Sequence, residues 1–115
     1  MSGPRLAIHL EARIMHEIRL ALGQIEGLVL WRNNVGVAVQ SDRPVIYGLG
    51  IGSADLVGCY RGRFIALEIK RPGKSATAEQ QQWLACVRYN GGVAEVVHSV
   101  DEAIAVVQRM GAKAA

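Results

Sequence analysis

The segment from Leu56 to Ile69 constrains the fold more than any other part of this 115-residue chain. Leu56–Tyr60 and Arg63–Ile69 are two runs of strand-forming residues on either side of Arg61-Gly62, the pattern of a β-hairpin. Side chains alternate between the faces of a strand, yet here both faces are apolar. Val57, Cys59, Phe64 and Ala66 fall on one; Leu56, Ile65, Leu67 and Ile69 fall on the other. Such a sheet has to be covered on both sides, which predicts an α/β fold with helices flanking a central sheet.

The remainder of the chain supplies that cover. Leu10, Ile14, Met15, Ile18, Leu22 and Ile25 recur at helical spacing and predict a helix from about Leu6 to Gln24, broken by Gly27. Leu28–Trp31 reads as a strand. Val37–Val39 and Val45–Tyr47 read as brief extended pieces separated by polar residues 40–44, and Gly48, Gly50 and Gly52 as a flexible loop leading to Asp55. Beyond Pro72-Gly73, the stretch Thr77-Ala78-Glu79-Gln80 has the form of a capping box opening a helix to about Tyr89. Asn90-Gly91-Gly92 ends it, Val93–Val97 follows as a strand, and Val100–Met110 as a helix with Ala103, Ile104, Val107 and Met110 inward. One domain spanning 1–115, with its core over about 6–110, is expected, with no internal repeat.

Several function classes drop out. No apolar run approaches the ~20 residues that cross a bilayer, and Met1–Arg5 lacks the features of a secretory signal, so a cytoplasmic protein with no membrane partner is expected. Cys59 and Cys86 suit neither a zinc site nor a disulfide and read as small buried hydrophobes; His9, His16 and His98 form no ligand pattern. Gly73-Lys74-Ser75 lacks the glycine that a phosphate-binding loop needs five residues earlier, where Glu68 stands. The Gly48–Gly52 stretch precedes a strand, not the helix of a dinucleotide fold, so no nucleotide cofactor is expected. The net charge of +3 is compatible with a phosphate-rich partner, and Arg61, Arg63, Lys70, Arg71 and Lys74 crowd one short stretch.

The hairpin carries the chemistry. With Arg61 and Gly62 as a two-residue loop, Tyr60 pairs with Arg63, and continuing the count sets Asp55 opposite Glu68. Cross-strand β-carbons in such a pair lie about 4.5–5.5 Å apart, and like charges there destabilise by a few tenths to ~1 kcal/mol. Lys70, two residues beyond Glu68, projects from the same face. A divalent cation offsets the repulsion, and Mg²⁺ suits one or two carboxylates because it keeps water and phosphate in its shell. An alternative register stays open: Arg61 has to adopt a positive φ in a two-residue turn, and a three-residue loop with a bulge at Gly62 shifts the pairing by one.

Asp55, followed after a gap by Glu68-Ile69-Lys70, resembles the D…ExK signature of the PD-(D/E)xK nucleases, and more narrowly the stand-alone virus-type replication-repair nuclease (VRR-NUC) domain. Trp31-Arg32-Asn33-Asn34 with Gly36, Gly52-Ser53-Ala54-Asp55-Leu56, Glu68–Gly73, the Thr77–Gln80 helix start with Trp83-Leu84, and Gly91-Gly92 carry the resemblance. It runs from about Glu11 to Val106, with Ala54 where proline is common in the wider superfamily. The resemblance implies a restriction-endonuclease-like αβββαβ core with a mixed central sheet flanked by helices. It also implies a Mg²⁺ or Mn²⁺ site formed by Asp55, Glu68 and the backbone carbonyl of Ile69, with Lys70 orienting water or stabilising charge. With these go a bacterial or phage origin and a homodimer that cuts branched DNA, notably four-way (Holliday) junctions.

The same resemblance places a glutamate of the first helix near the metal. Glu11 and Glu17 are the candidates, and Glu11 is preferred because Ile14, Met15 and Ile18 follow it on the apolar face. Gln80 completes the capping box and, by resemblance, also stands beside the active site. Arg32, Asn34, Arg71 and Lys74 are candidate DNA contacts, although Arg32 and Asn34 equally suit the end of a strand and a turn. Two rivals are a nuclease with nicking or flap preference and a non-catalytic DNA-binding module.

Overall fold

A computed structural model describes residues 4–114, with side chains from 9 to 111. Helix α1 (Pro4–Leu22) leads into strand β1 (Leu28–Arg32); β2 (Gly36–Gln40) and β3 (Arg43–Tyr47) follow. Next come β4 (Leu56–Tyr60), β5 (Arg63–Ile69), α2 (Ala78–Tyr89), β6 (Val93–Val97) and α3 (Val100–Ala114). The architecture is α/β, as the two-faced hairpin requires. Four strands form a mixed sheet in the order β1-β4-β5-β6, with β1, β4 and β5 antiparallel and β6 parallel to β5. A parallel neighbour needs a crossover, and α2 provides it.

The β4–β5 hairpin has the two-residue register, Tyr60 opposite Arg63 and Leu56 opposite Leu67. Arg61 takes the positive φ this demands (48°), followed by Gly62 at 87°. Its N–H donates to the Gly27 carbonyl at 3.0 Å, and its guanidinium lies 5.5 Å from the centre of the Tyr60 ring. These contacts offset a conformation that non-glycine residues disfavour.

The sheet divides two cores. On one side Leu56, Ile65, Leu67, Ile69 and Val97 pack with Ile14, Ile18 and Leu22 of α1 and with Ala103, Val106, Val107 and Met110 of α3. On the other, Ala54, Ala66 and Ala94 pack with Leu84 of α2, with Val57, Trp83, Val87 and Val96 around them. Small residues on that face let α2 sit close. One helix covers four strands incompletely, so Phe64 is 41% exposed and Trp31 58% exposed, contrary to the expectation of a sheet fully covered on both faces.

Other expectations change. The two extended pieces after β1 form a separate hairpin, paired only with each other, whose strands run to Gln40 and Arg43 around a two-residue turn. Ser41 and Asp42 occupy it at positive φ (51° and 62°), the backbone that matches strand twist. Leu10 lies beyond the sheet's cover and is exposed, not inward, and Cys86 is exposed on α2 while Cys59 is half-buried. Among the described residues no helix is long and apolar enough to cross a membrane.

Candidate functional site

Asp55, Glu68, Lys70, Gln80 and Glu11 meet at one end of the sheet, where β4 begins, β5 ends and α2 starts. Glu68 is the penultimate residue of β5 and is only 3% exposed. The ladder ends at the pairing of Leu56 with Leu67, and Asp55 stands one residue outside it. Asp55 Oδ2 there accepts a hydrogen bond from the Ile69 N–H at 2.9 Å, which ties its carboxylate to the far strand.

Glu68 is the anomaly. Its Oε2 accepts from Gln80 Nε2 at 3.2 Å and lies 3.9 Å from Lys70 Nζ, the outer limit of an ion pair. Its Oε1 is buried and receives no hydrogen bond from an N–H or hydroxyl of another residue. Burial, then the Asp55 charge and the hydrogen bond between the two acids, push the Glu68 carboxyl up to about 8; Lys70 opposes this and Glu11 adds to it. The ionised form of Glu68 is costly here, because burial strips its water and Asp55 repels it.

The sequence explains how Gln80 reaches Glu68. Thr77 caps α2, its Oγ1 accepting from the Gln80 N–H at 3.2 Å, while Gln80 Oε1 accepts from the Thr77 N–H at 2.8 Å. The capping box uses the amide oxygen and leaves the amide nitrogen to donate to Glu68. One side chain thus serves both purposes weighed for it.

The two candidate glutamates of α1 differ in place. Glu11 is half-buried, and its Oε2 accepts from the Arg71 N–H at 3.2 Å; its charge is felt by Glu68. Glu17 is exposed and paired with Arg13 at 3.2 Å, away from the acids. Arg32 pairs with Leu56 in the ladder and so faces the α1/α3 side, opposite to Glu68. Asn34 is exposed in the turn after β1, and Lys74 is exposed in the loop after β5. His98 Nε2 contacts the Lys74 carbonyl at 2.8 Å and its Nδ1 Glu102 at 3.0 Å; the Glu102 hydrogen bond, then that carbonyl, raises its pKa.

Asn33 is the residue to which sequence reasoning gave no role of its own, naming it only within the stretch Trp31–Asn34. Its side-chain amide donates to Ser53 Oγ and to the Ala54 carbonyl, each at 2.8 Å, and its Oδ1 accepts from the Leu49 N–H at 3.2 Å. Its backbone N–H donates to the Asp55 carbonyl at 2.8 Å. The loop between β3 and Asp55, expected to be flexible, is tied to the end of β1 by these bonds. The available signal was the order Asn33 before Gly48–Asp55: an asparagine at a strand end can hold a distant loop as well as turn its own chain.

Compared with known proteins, the chain matches no family model and no curated protein.

Among the described residues, no three His, Cys, Asp or Glu side chains gather as a metal cage. Two carboxylates are adjacent, and Glu11 spends an oxygen on Arg71. That donor set does not suit Zn²⁺, which takes nitrogen and sulfur ligands in a closed tetrahedron. Two buried or half-buried carboxylates without a donor on Glu68 Oε1 are a donor set compatible with a hard cation that keeps several waters.

Proposed function

We propose that this chain is a divalent-metal-dependent endonuclease of the VRR-NUC type, hydrolysing phosphodiester bonds in branched DNA. The observation that carries the proposal is Glu68: a nearly buried carboxyl, one oxygen reached by no donor group, held against Asp55 at a sheet end. A structural acid in that position gains only a proton shared with its neighbour, whereas a cation ligand gains a second carboxylate. The order α1-β1-β4-β5-α2-β6, with β2 and β3 set aside as a separate hairpin, parallels the αβββαβ core that the resemblance implies and supports the same reading.

Asp55 and Glu68 would hold Mg²⁺ or Mn²⁺, with the Ile69 carbonyl as the third protein ligand of the resemblance. When bound, the ion supplies Lewis-acid polarisation of the phosphodiester and a lowered pKa for water, worth several kcal/mol. The rest falls to the chain. Gln80 fixes the Glu68 carboxylate, Glu11 fixes the backbone after Lys70 through Arg71, and the Ile69 N–H fixes Asp55. The Lys70 ammonium orients the attacking water or meets charge developing on the phosphate as water adds and the ester P–O bond breaks. Arg71 and Lys74, leaving the site on the loop after β5, are placed to follow the DNA backbone; Arg32, on the opposite face of the sheet, is not.

A homodimer belongs to the same reading. The β2–β3 hairpin carries Val37, Val39, Val45, Ile46 and Tyr47 exposed, Val39 at 77%. A lone two-stranded hairpin is marginal in water, and burying these side chains against a second copy stabilises it.

The test is a panel of linear duplex, flap and four-way junction substrates with Mg²⁺, run beside Asp55→Ala. Cleavage of junctions is expected, falling at least about 10³-fold in the variant, the equivalent of ~4 kcal/mol in the barrier. Cutting of flaps or nicking of duplex instead would redirect the substrate. An absence of cleavage would leave the non-catalytic DNA-binding module, and cleavage indifferent to Asp55 would overturn the site.

A further inference from the structure

Asp55 has one strong local need: its carboxylate has to stay beside Glu68 although the ladder that positions the rest of β4 ends one residue later, at Leu56. Three glycines precede it at Gly48, Gly50 and Gly52, all at positive φ (87°, 101° and 88°). A glycine-rich approach has much backbone freedom to lose and little side-chain packing of its own to fix it. Something outside the loop has to set where Asp55 stands.

We infer that Asn33 is the positioning residue for Asp55, clamping the two peptide units on either side of the Asp55 Cα to the end of β1. Two carbonyls in succession are held from one residue, Ala54 O by the Asn33 side chain and Asp55 O by the Asn33 backbone N–H, both at 2.8 Å. The second amide hydrogen goes to Ser53 Oγ, whose own hydroxyl donates to the Gly50 carbonyl at 2.5 Å, so the bond carries the clamp back through the glycines. The amide oxygen closes the loop's start through Leu49. Only an asparagine of this length offers two donors and an acceptor here; aspartate has the same shape and no N–H. Ala54 is fully buried against the α2 side of the sheet, and the Asp55 side chain that follows it reaches the Ile69 N–H of β5. The consequence for cation affinity rests on the metal reading above; the positioning itself does not.

The test uses Asn33→Asp, with Ser53→Ala as a milder variant that keeps the Ala54 bond, both confirmed as folded by circular dichroism. The metal-independent readout is amide hydrogen exchange at Ile69, whose N–H is held by Asp55 Oδ2. In Asn33→Asp the Ile69 amide is expected to lose protection to the level of Asp55→Ala, while the Leu67 amide keeps its own; Ser53→Ala is expected to lie between. The second readout is Mn²⁺ affinity, expected to weaken about 10–100-fold in Asn33→Asp, the usual effect of losing an outer-sphere support. Unchanged Ile69 protection in both variants would overturn the inference. Loss of protection in the variants, together with a wild type that binds no Mn²⁺, would uphold the positioning and reject the cation.

Discussion

Glu68→Gln is expected to abolish DNA cleavage and at the same time to make the metal-free protein more stable at alkaline pH. Both effects follow from one carboxyl. Burial and the Asp55 charge raise its pKa from 4.5 to about 8 in the folded state. Between those values the native state holds a proton that the unfolded chain has released. The stability conferred by that proton is therefore full below about 4.5, declines as pH rises, and is lost above about 8. Glutamine mimics the protonated acid and removes the pH dependence. Urea denaturation in chelator at about pH 5 and about pH 9 measures it: the variant and wild type should be close at the lower pH and separate at the higher, with the variant ahead. Cleavage should fall by at least about 10³-fold, since an amide is a poor ligand and cannot balance a dication. A variant less stable than wild type at both pH values would mean that Glu68 acts as a structural acid.

Gly58→Ala is expected to be among the most destabilising single-methyl changes in the chain. Gly58 lies mid-way along β4, opposite Leu30 of β1. A β-carbon there would fall 1.8 Å from the Val29 carbonyl oxygen and 3.0 Å from the Leu30 Cα. These are backbone atoms and cannot swing aside, so β1 has to leave the ladder, exposing Leu28 and carrying Asn33 away from the loop before Asp55. Overpacking of this kind costs about 3 kcal/mol or more. Gly62→Ala is the control: nothing lies within 4 Å of its added carbon, and only its φ of 87° penalises it, by about 1–2 kcal/mol. Equal midpoints for the two variants in urea would contradict this account of the β1–β4 contact.

The sequence was most legible where local rules and pattern coincide. The hairpin register follows from a two-residue turn, which the structure has, and the pairing of the site's acids follows from that register. Thr77 to Gln80 is legible as a cap because the capping box is a local structure, and its dual use of Gln80 becomes visible only once β5 lies alongside. The preference for Glu11 over Glu17 came from the helical face, and that face turns Glu11 toward the loop after β5. What escaped was long-range. Periodicity marks β2 and β3 as extended without saying that they pair apart from the main sheet. Apolar character alone put Leu10 inward and Cys86 among buried residues, yet both stand where the sheet offers no partner surface. Asn33 received no role of its own because nothing in its neighbours points to a loop sixteen to twenty-one residues away.

The central claim is a cation held by Asp55 and Glu68, and calorimetric titration of the protein with Mn²⁺ at about pH 7, repeated in buffers of different ionisation enthalpy, tests it most directly. Because Glu68 carries its proton until about pH 8, binding is predicted to release close to one proton per ion, to tighten as pH rises toward that value, and to vanish in Asp55→Asn and Glu68→Gln. Binding that releases no proton and survives both substitutions, or no binding at all, would contradict it.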